Sequence, residues 1–210
     1  MDRRILRLVA IADGDTLAGR DYVECCRAAV RGGATSIQVR MKHGDSGLML
    51  SLTEKLVDQL TVPVIVNDRL DVAILGGAHG VHVGARDVAV AAARRLCDTR
   101  EVIVGVSVGD IHEARGAIRD GADYWGVGPV YFTGSKIDAG FALGVEGFGR
   151  LRDMAPQGVP VIAIGGINSA NCRQLIECGA DGVAVIAALF EKQDVEGAAR
   201  ELISAIESVS

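Results

Sequence analysis

Eight short runs rich in Val and Ile alternate along this chain with eight segments of helical period, and that alternation leaves few folds open. The apolar runs are 7–13, 36–40, 62–68, 80–84, 102–108, 124–130, 159–166 and 182–188. The periodic segments are 19–32, 46–60, a short stretch through LDVAILGG, then 88–97, 110–120, 145–154, 169–178 and 194–208. Strands that are apolar on both faces belong to a parallel sheet covered by helices. Repeated eight times, the βα unit closes into an α/β (β/α)8 TIM barrel, with an open doubly wound sheet as the alternative. GGA at 32–34 and 76–78, DGAD at 120–123 and CGAD at 178–181 read as recurrent helix-to-strand turns, where Gly supplies a left-handed cap. No linker or low-complexity tract interrupts the pattern, so residues 1–210 are expected to form one domain.

Composition narrows the function. Nearly half of the residues (49%) are hydrophobic, enough for a large core. The net charge of -5 argues against a general nucleic-acid groove, which calls for a basic surface. An anionic ligand would therefore need a local grip of Lys, Arg, metal or helix N-termini. The cysteines Cys25, Cys26, Cys97, Cys172 and Cys178 are odd in number and form no CxxC, which fits reduced thiols in a cytoplasmic protein. The N-terminus MDRRILRLVAIADGD turns acidic too soon for a signal peptide, and no apolar run is long enough to suggest a membrane span.

Catalysis in such barrels sits at the C-terminal ends of the strands. The second strand ends IQVRMK, and alternation puts Gln38, Arg40 and Lys42 on one side and Met41 on the other. If that side faces the mouth, two cations and an amide point into it; a solvated pair of cations at a strand end is the plainer reading. The third strand ends Asn67-Asp68, and the fourth is followed by Asp87. Two carboxylates on neighbouring loops beside Arg and Lys suit Mg²⁺, which takes one or two carboxylates, water and phosphate oxygens. Either could instead cap a short helix. Ser107 can offer a hydroxyl at the end of the fifth strand, and Thr133, Ser135 and Lys136 lie in a glycine-flanked loop able to wrap a phosphate. AIGGIN and GVAVIAA close the series; glycines after the seventh strand let backbone N–H groups approach an anion. Together these residues sort into two anion sites around one mouth. One combines Arg40, Lys42, Lys136 and a metal, and suits a diphosphate. The other uses backbone amides near Gly166 and Ile186-Ala187 with hydroxyls from Thr133 and Ser135, and suits a monophosphate.

IQVRMK, VPVIVNDRLDVA, GVHVGARD, GVSV, DYWGVGPVYFTGSK and AIGGI, in this order over about residues 34–190, resemble the thiamine phosphate synthase family. The resemblance implies a transferase that joins hydroxymethylpyrimidine diphosphate to thiazole phosphate. It implies Mg²⁺ on Asp68 and Asp87. It implies the pyrimidine diphosphate on Gln38, Arg40, Lys42, Asn67, Ser107 and Lys136, and thiazole phosphate on Thr133, Ser135, Gly166, Ile186 and Ala187. The catalytic groups expected are Arg40, Lys42, Ser107 and Lys136, and the partners small phosphorylated molecules; the oligomeric state is not readable from the sequence, and a homodimer is only a guess. Four positions depart from the family pattern: Met41 for Glu, Ser135 for Thr, Ala187 for Ser, and Ala85 where Gln is frequent. Ala187 keeps its N–H but loses a hydroxyl contact.

Three rival readings remain at this level. A thiazole tautomerase on the same barrel would need a proton-transferring residue, for which His43, His79, His82 and His112 are present. His82 reads as structural and His112 as solvated. A binding barrel that kept the pocket and lost turnover is a second alternative. A sugar-phosphate epimerase would need paired acid–base residues that the metal assignment explains better.

Overall fold

The computed structural model describes residues 1–43, 45–97, 102–134 and 141–209. After a 3-10 turn at Arg3–Leu6 come β1 (Leu8–Asp13), α1 (Tyr22–Arg31), β2 (Ser36–Arg40), α2 (Ser46–Gln59), β3 (Val64–Asn67) and α3 (Leu70–Leu75). Next are β4 (Gly80–Val83), α4 (Val90–Cys97), β5 (Ile103–Val108), α5 (Ile111–Asp120), β6 (Tyr124–Val127) and α6 (Gly144–Arg152). The chain ends with β7 (Val161–Ile164), α7 (Cys172–Glu177), β8 (Gly182–Val185), α8 (Ala187–Phe190) and α9 (Val195–Glu207). The eight strands form a closed barrel in sequence order, every neighbouring pair parallel, with β8 returning to β1. The open-sheet alternative is thereby excluded.

Strand alternation divides the core in two. One set of side chains, including Ala10, Val39, Val66, Val81, Trp125 and Val183, packs between sheet and helices. The other, Val9, Ile11, Ile65, Tyr124, Ile162 and Ala184, fills the barrel interior. Adjacent Tyr124 and Trp125 thus bury themselves on opposite faces of β6, each fully. The interior accepts Tyr124 because β5 carries Gly105 opposite it; a Cβ there would lie 2.2 Å from the Tyr124 ring. The four helix-to-strand turns use left-handed Gly33, Gly77, Gly121 and Gly179, as their repeated pattern predicts. Asp21, Asp45, Asp110 and Asp194 cap α1, α2, α5 and α9 through their carboxylates.

The eighth strand is shorter than the sequence suggests. GVAVIAA continues apolar to residue 188, yet the strand stops at Val185 and α8 begins at Ala187. A short apolar run fits a buried helical turn as well as a strand. Among the described residues no helix is long and apolar enough to cross a membrane.

Candidate active site

At the C-terminal end of the barrel a cavity of about 690 Å³ opens. Gln38, Arg40, Lys42, Asn67, Asp68, Asp87, Ser107, Thr133, Gly166, Ile186 and Ala187 all line it. Ser135 and Lys136 lie outside the described residues. The parity of β2 explains the first three: Gln38 and Arg40 face inward and Lys42 continues the row, while Met41 packs against the outer core.

The two acids do not finish helices. The N-cap of α3 is Arg69, without a side-chain bond. Asp68 stands before it in the left-handed region at φ 64, held by its N–H donating to the His82 carbonyl at 2.8 Å. Left-handed backbone is unusual outside Gly, and Asp is among the side chains that tolerate it. Asp87 closes its own loop, its Oδ2 accepting from the Gly84 N–H at 2.7 Å, three residues before α4. The side chains of Asp68 and Asp87 come within hydrogen-bond reach of each other, and Lys42 Nζ stands 3.4 Å from Asp68 Oδ2. Burial and then the facing Asp87 push the Asp68 carboxyl above its ordinary range, against the pull of Lys42. Two converging carboxylates, one of them made less favourable as an anion by burial and by the other, fit a divalent ion of the Mg²⁺ kind. Among the described residues no group of three or more His, Cys, Asp or Glu could hold a metal, so the fit is to an ion that completes its shell with water and ligand oxygens.

Below the acids runs a buried polar chain that pattern reading did not assemble. His82 Nδ1 lies 2.9 Å from the Tyr124 hydroxyl and Nε2 lies 3.1 Å from Ser107 Oγ. Tyr124 also bonds the Gln38 side chain. Burial lifts the Tyr124 phenol well above its ordinary pKa, so it stays a neutral hydroxyl at this junction. Gln38 and Ser107, singled out separately in the sequence, are therefore tied together through Tyr124 and His82. Only the shared inward parity of His82 and Tyr124 signals this in the sequence. Gly126 leaves the space His82 occupies, since a Cβ there would lie 3.0 Å from the imidazole.

The opposite rim is built from backbone. Gly165 and Gly166 follow β7 at φ 96 and 64. A Cβ on Gly166 would meet the Phe132 carbonyl at 2.5 Å, so a side chain is excluded on two counts. Asn171 donates its amide to the Gly166 carbonyl at 3.0 Å and accepts from the Asn168 N–H at 2.9 Å, fixing the turn. Ile186 and Ala187 start α8 across from it, where first-turn N–H groups lack intrahelical acceptors.

A β/α barrel whose mouth sets cations and paired acids against a glycine-built rim is an enzyme for small phosphorylated substrates. Comparison with known proteins makes the class specific: residues 8–189 match the family model described as thiamine monophosphate synthase, and the chain belongs to that family. It is 43% identical over 199 residues to the thiamine-phosphate synthase of Chloroflexus aurantiacus, covering 93% of this chain and 90% of the relative. It is 44% identical over 187 residues to that of Moorella thermoacetica, covering 88% of each. Among solved structures it superposes on thiamine phosphate pyrophosphorylase from Pyrococcus furiosus with a TM-score of 0.88 at 36% identity, covering 99% of this chain and 98% of the other. The structure titled native KDPGal, at 17% identity and a TM-score of 0.74, shares the fold alone.

Proposed function

We propose that this transferase joins hydroxymethylpyrimidine diphosphate to thiazole phosphate at the barrel mouth, releasing pyrophosphate and forming thiamine phosphate. The observation that carries the reading is a cavity at the barrel mouth with two unlike rims, charged across β2–β4 and backbone-built after β7 and β8. The charged rim would take the diphosphate and the neutral rim the monophosphate, leaving the reacting carbon and nitrogen between them.

The chemistry asks little of a side-chain base. The methylene–oxygen bond breaks with its electron pair leaving on pyrophosphate, and the aminopyrimidine spreads the positive charge left on carbon. The thiazole nitrogen then donates its lone pair and has no proton to lose. What the protein must supply is a fixed set of donors where charge grows on the leaving oxygens. Arg40 and Lys42 stand at that rim, with Lys136 the third cation of the reading. Mg²⁺, held by Asp68 and Asp87, would supply further charge to the same oxygens. Gln38 and Ser107, fixed through Tyr124 and His82, orient the pyrimidine. Thr133 and Ser135, with the amides of Gly166, Ile186 and Ala187, receive the thiazole phosphate. The reading extends to a homodimer in the cytoplasm, where the buried thiols Cys25, Cys26 and Cys172 would stay reduced.

Mixing both phosphorylated precursors with the protein, with and without Mg²⁺, tests the reading. Thiamine phosphate detected by mass spectrometry only when Mg²⁺ is present is the expected result; no product under either condition refutes it. Lys136→Ala should lower kcat more than it raises KM for thiazole phosphate.

A further inference from the structure

The geometry points to Asp13 as a positioning residue that holds the Arg40 guanidinium in its working direction at the charged rim. This rests on the proposed leaving-group role of Arg40. Asp13 ends β1 and is paired in register with Arg40 at the end of β2. Arg40 Nη1 donates to Asp13 Oδ1, and the two side chains are only 10% and 5% exposed. The other carboxylate oxygen is occupied too: Asp13 Oδ2 accepts from the Thr16 N–H at 3.1 Å and from the Thr16 hydroxyl at 2.9 Å. A backbone bond from the Gly14 N–H to the Arg40 carbonyl at 2.9 Å ties the same two strand ends. Asp13 is thus fixed by its own loop on one side and grips the cation on the other.

Three physical consequences follow. A long, flexible side chain gains direction only if something other than the substrate holds it, and a carboxylate does this for a guanidinium more firmly than a neutral acceptor. The planar fork carries five N–H donors, so one bond to Asp13 leaves others for a phosphate oxygen. And Asp13 balances the buried charge, so the guanidinium is tolerated at the mouth before any anion arrives. Lys42, on the same inward row, instead leans on Asp68 at 3.4 Å and is more exposed. The two cations at and just past the end of β2 are therefore held by different acids: one by a partner in the lining of the barrel, the other by a carboxylate of the paired-acid site.

Asp13 is absent from the lining of the cavity that holds the paired acids and borders the adjoining space, which Arg40, Lys42, Thr133, Gly166 and Ala187 also line. Its own carboxylate oxygens are taken by Arg40 and Thr16, so its action is through Arg40.

The test is a double-mutant cycle of Asp13→Asn and Arg40→Ala, reading kcat, both KM values and the melting temperature, with titration of inorganic pyrophosphate in Mg²⁺ as a readout independent of turnover. Asn keeps the size and an acceptor but removes the charge. The expected result is a fall of about tenfold in kcat for Asp13→Asn, thiazole phosphate KM unchanged within about twofold, and no further loss when Asp13→Asn is added to Arg40→Ala. Thr16→Val, which leaves the ion pair but removes one hydrogen bond to Asp13, should give a smaller fall in the same direction. Additive losses in the double variant, or a kcat for Asp13→Asn equal to that of the unaltered protein, overturn the proposal. If Asp13→Asn fails to fold, Thr16→Val takes its place in the cycle and must likewise lose its effect when Arg40 is Ala. Should Arg40→Ala bind pyrophosphate and turn over normally, the leaving-group assignment itself is what fails.

Discussion

The two rims of the barrel mouth are built by opposite means. Across β2–β4 the polar surface is made by side chains: Arg40 and Lys42, each leaning on a carboxylate, with Asp68 and Asp87 facing each other. After β7 and β8 it is made by backbone, shaped by two left-handed glycines and the start of a four-residue helix. Charged side chains are strong but must be held against one another before a ligand arrives, and among the described residues Arg40 is met by Asp13, Lys42 by Asp68 and Asp68 by Asp87. Backbone N–H groups carry no net charge, need no counter-ion, and are positioned by φ and by steric exclusion. A leaving group that gains charge calls for the first kind of site, and a phosphate that only anchors its molecule calls for the second.

The largest effect expected from breaking this contrast is at the acids. Asp68→Ala or Asp87→Ala should lower turnover at saturating Mg²⁺ by about 10²–10³-fold or more, while thiazole phosphate binding stays within a few-fold. Normal turnover in both variants would remove the acids from the mechanism. Next is the neutral rim. Gly166→Ala must place a Cβ 2.5 Å from the Phe132 carbonyl at φ 64. It should raise KM for thiazole phosphate by about tenfold and cost roughly 1–3 kcal/mol of stability, with pyrophosphate affinity preserved. Equal weakening of both ligands would mean that the rims are one site.

Tyr124→Phe should be milder. It leaves His82 and Gln38 without their shared hydroxyl, which costs about 1–3 kcal/mol when buried partners go unsatisfied. Its kinetic effect should fall on the pyrimidine substrate alone, a difference that KM values for the two substrates would reveal. The smallest effect concerns stability. Because the Asp68 carboxyl is raised in the folded protein, the stability its protonation gives is complete below the unfolded value and is lost as pH rises through the folded one. At neutral pH the ionised group works against the metal-free fold. Asp68→Asn, which suits the left-handed backbone, should therefore raise the metal-free melting temperature at pH 7 by about 1–3 °C while abolishing activity. The gain should vanish below the ordinary carboxylate range; an unchanged or lower melting temperature at pH 7 would contradict the account of the paired acids.

The charged rim was largely legible in the sequence and the connections beneath it were not. A period of two along IQVRMK is enough to send Gln38, Arg40 and Lys42 one way and Met41 the other, and barrel closure then fixes the end at which they gather. The glycines of AIGGI signal a tight backbone, though not that Asn171 locks it. His82 and Tyr124 are 42 residues apart and meet only across the barrel, so the sequence alone reads His82 as structural and leaves Tyr124 unmarked. The same holds for Asp13: its meaning lies in its register with Arg40, which strand alternation alone does not give. The end of β8 is not fixed by the sequence, because the apolar run Val185-Ile186-Ala187-Ala188 satisfies a buried strand and a buried helical turn equally.

The division of labour between the rims is tested most directly by titrating inorganic pyrophosphate, with and without Mg²⁺, into the unaltered protein and into an Asp68→Asn/Asp87→Asn variant, with thiazole phosphate as the parallel ligand. The account predicts Mg²⁺-dependent pyrophosphate binding that the variant loses and thiazole phosphate binding that it keeps. Pyrophosphate binding that ignores both the metal and the two substitutions would contradict it.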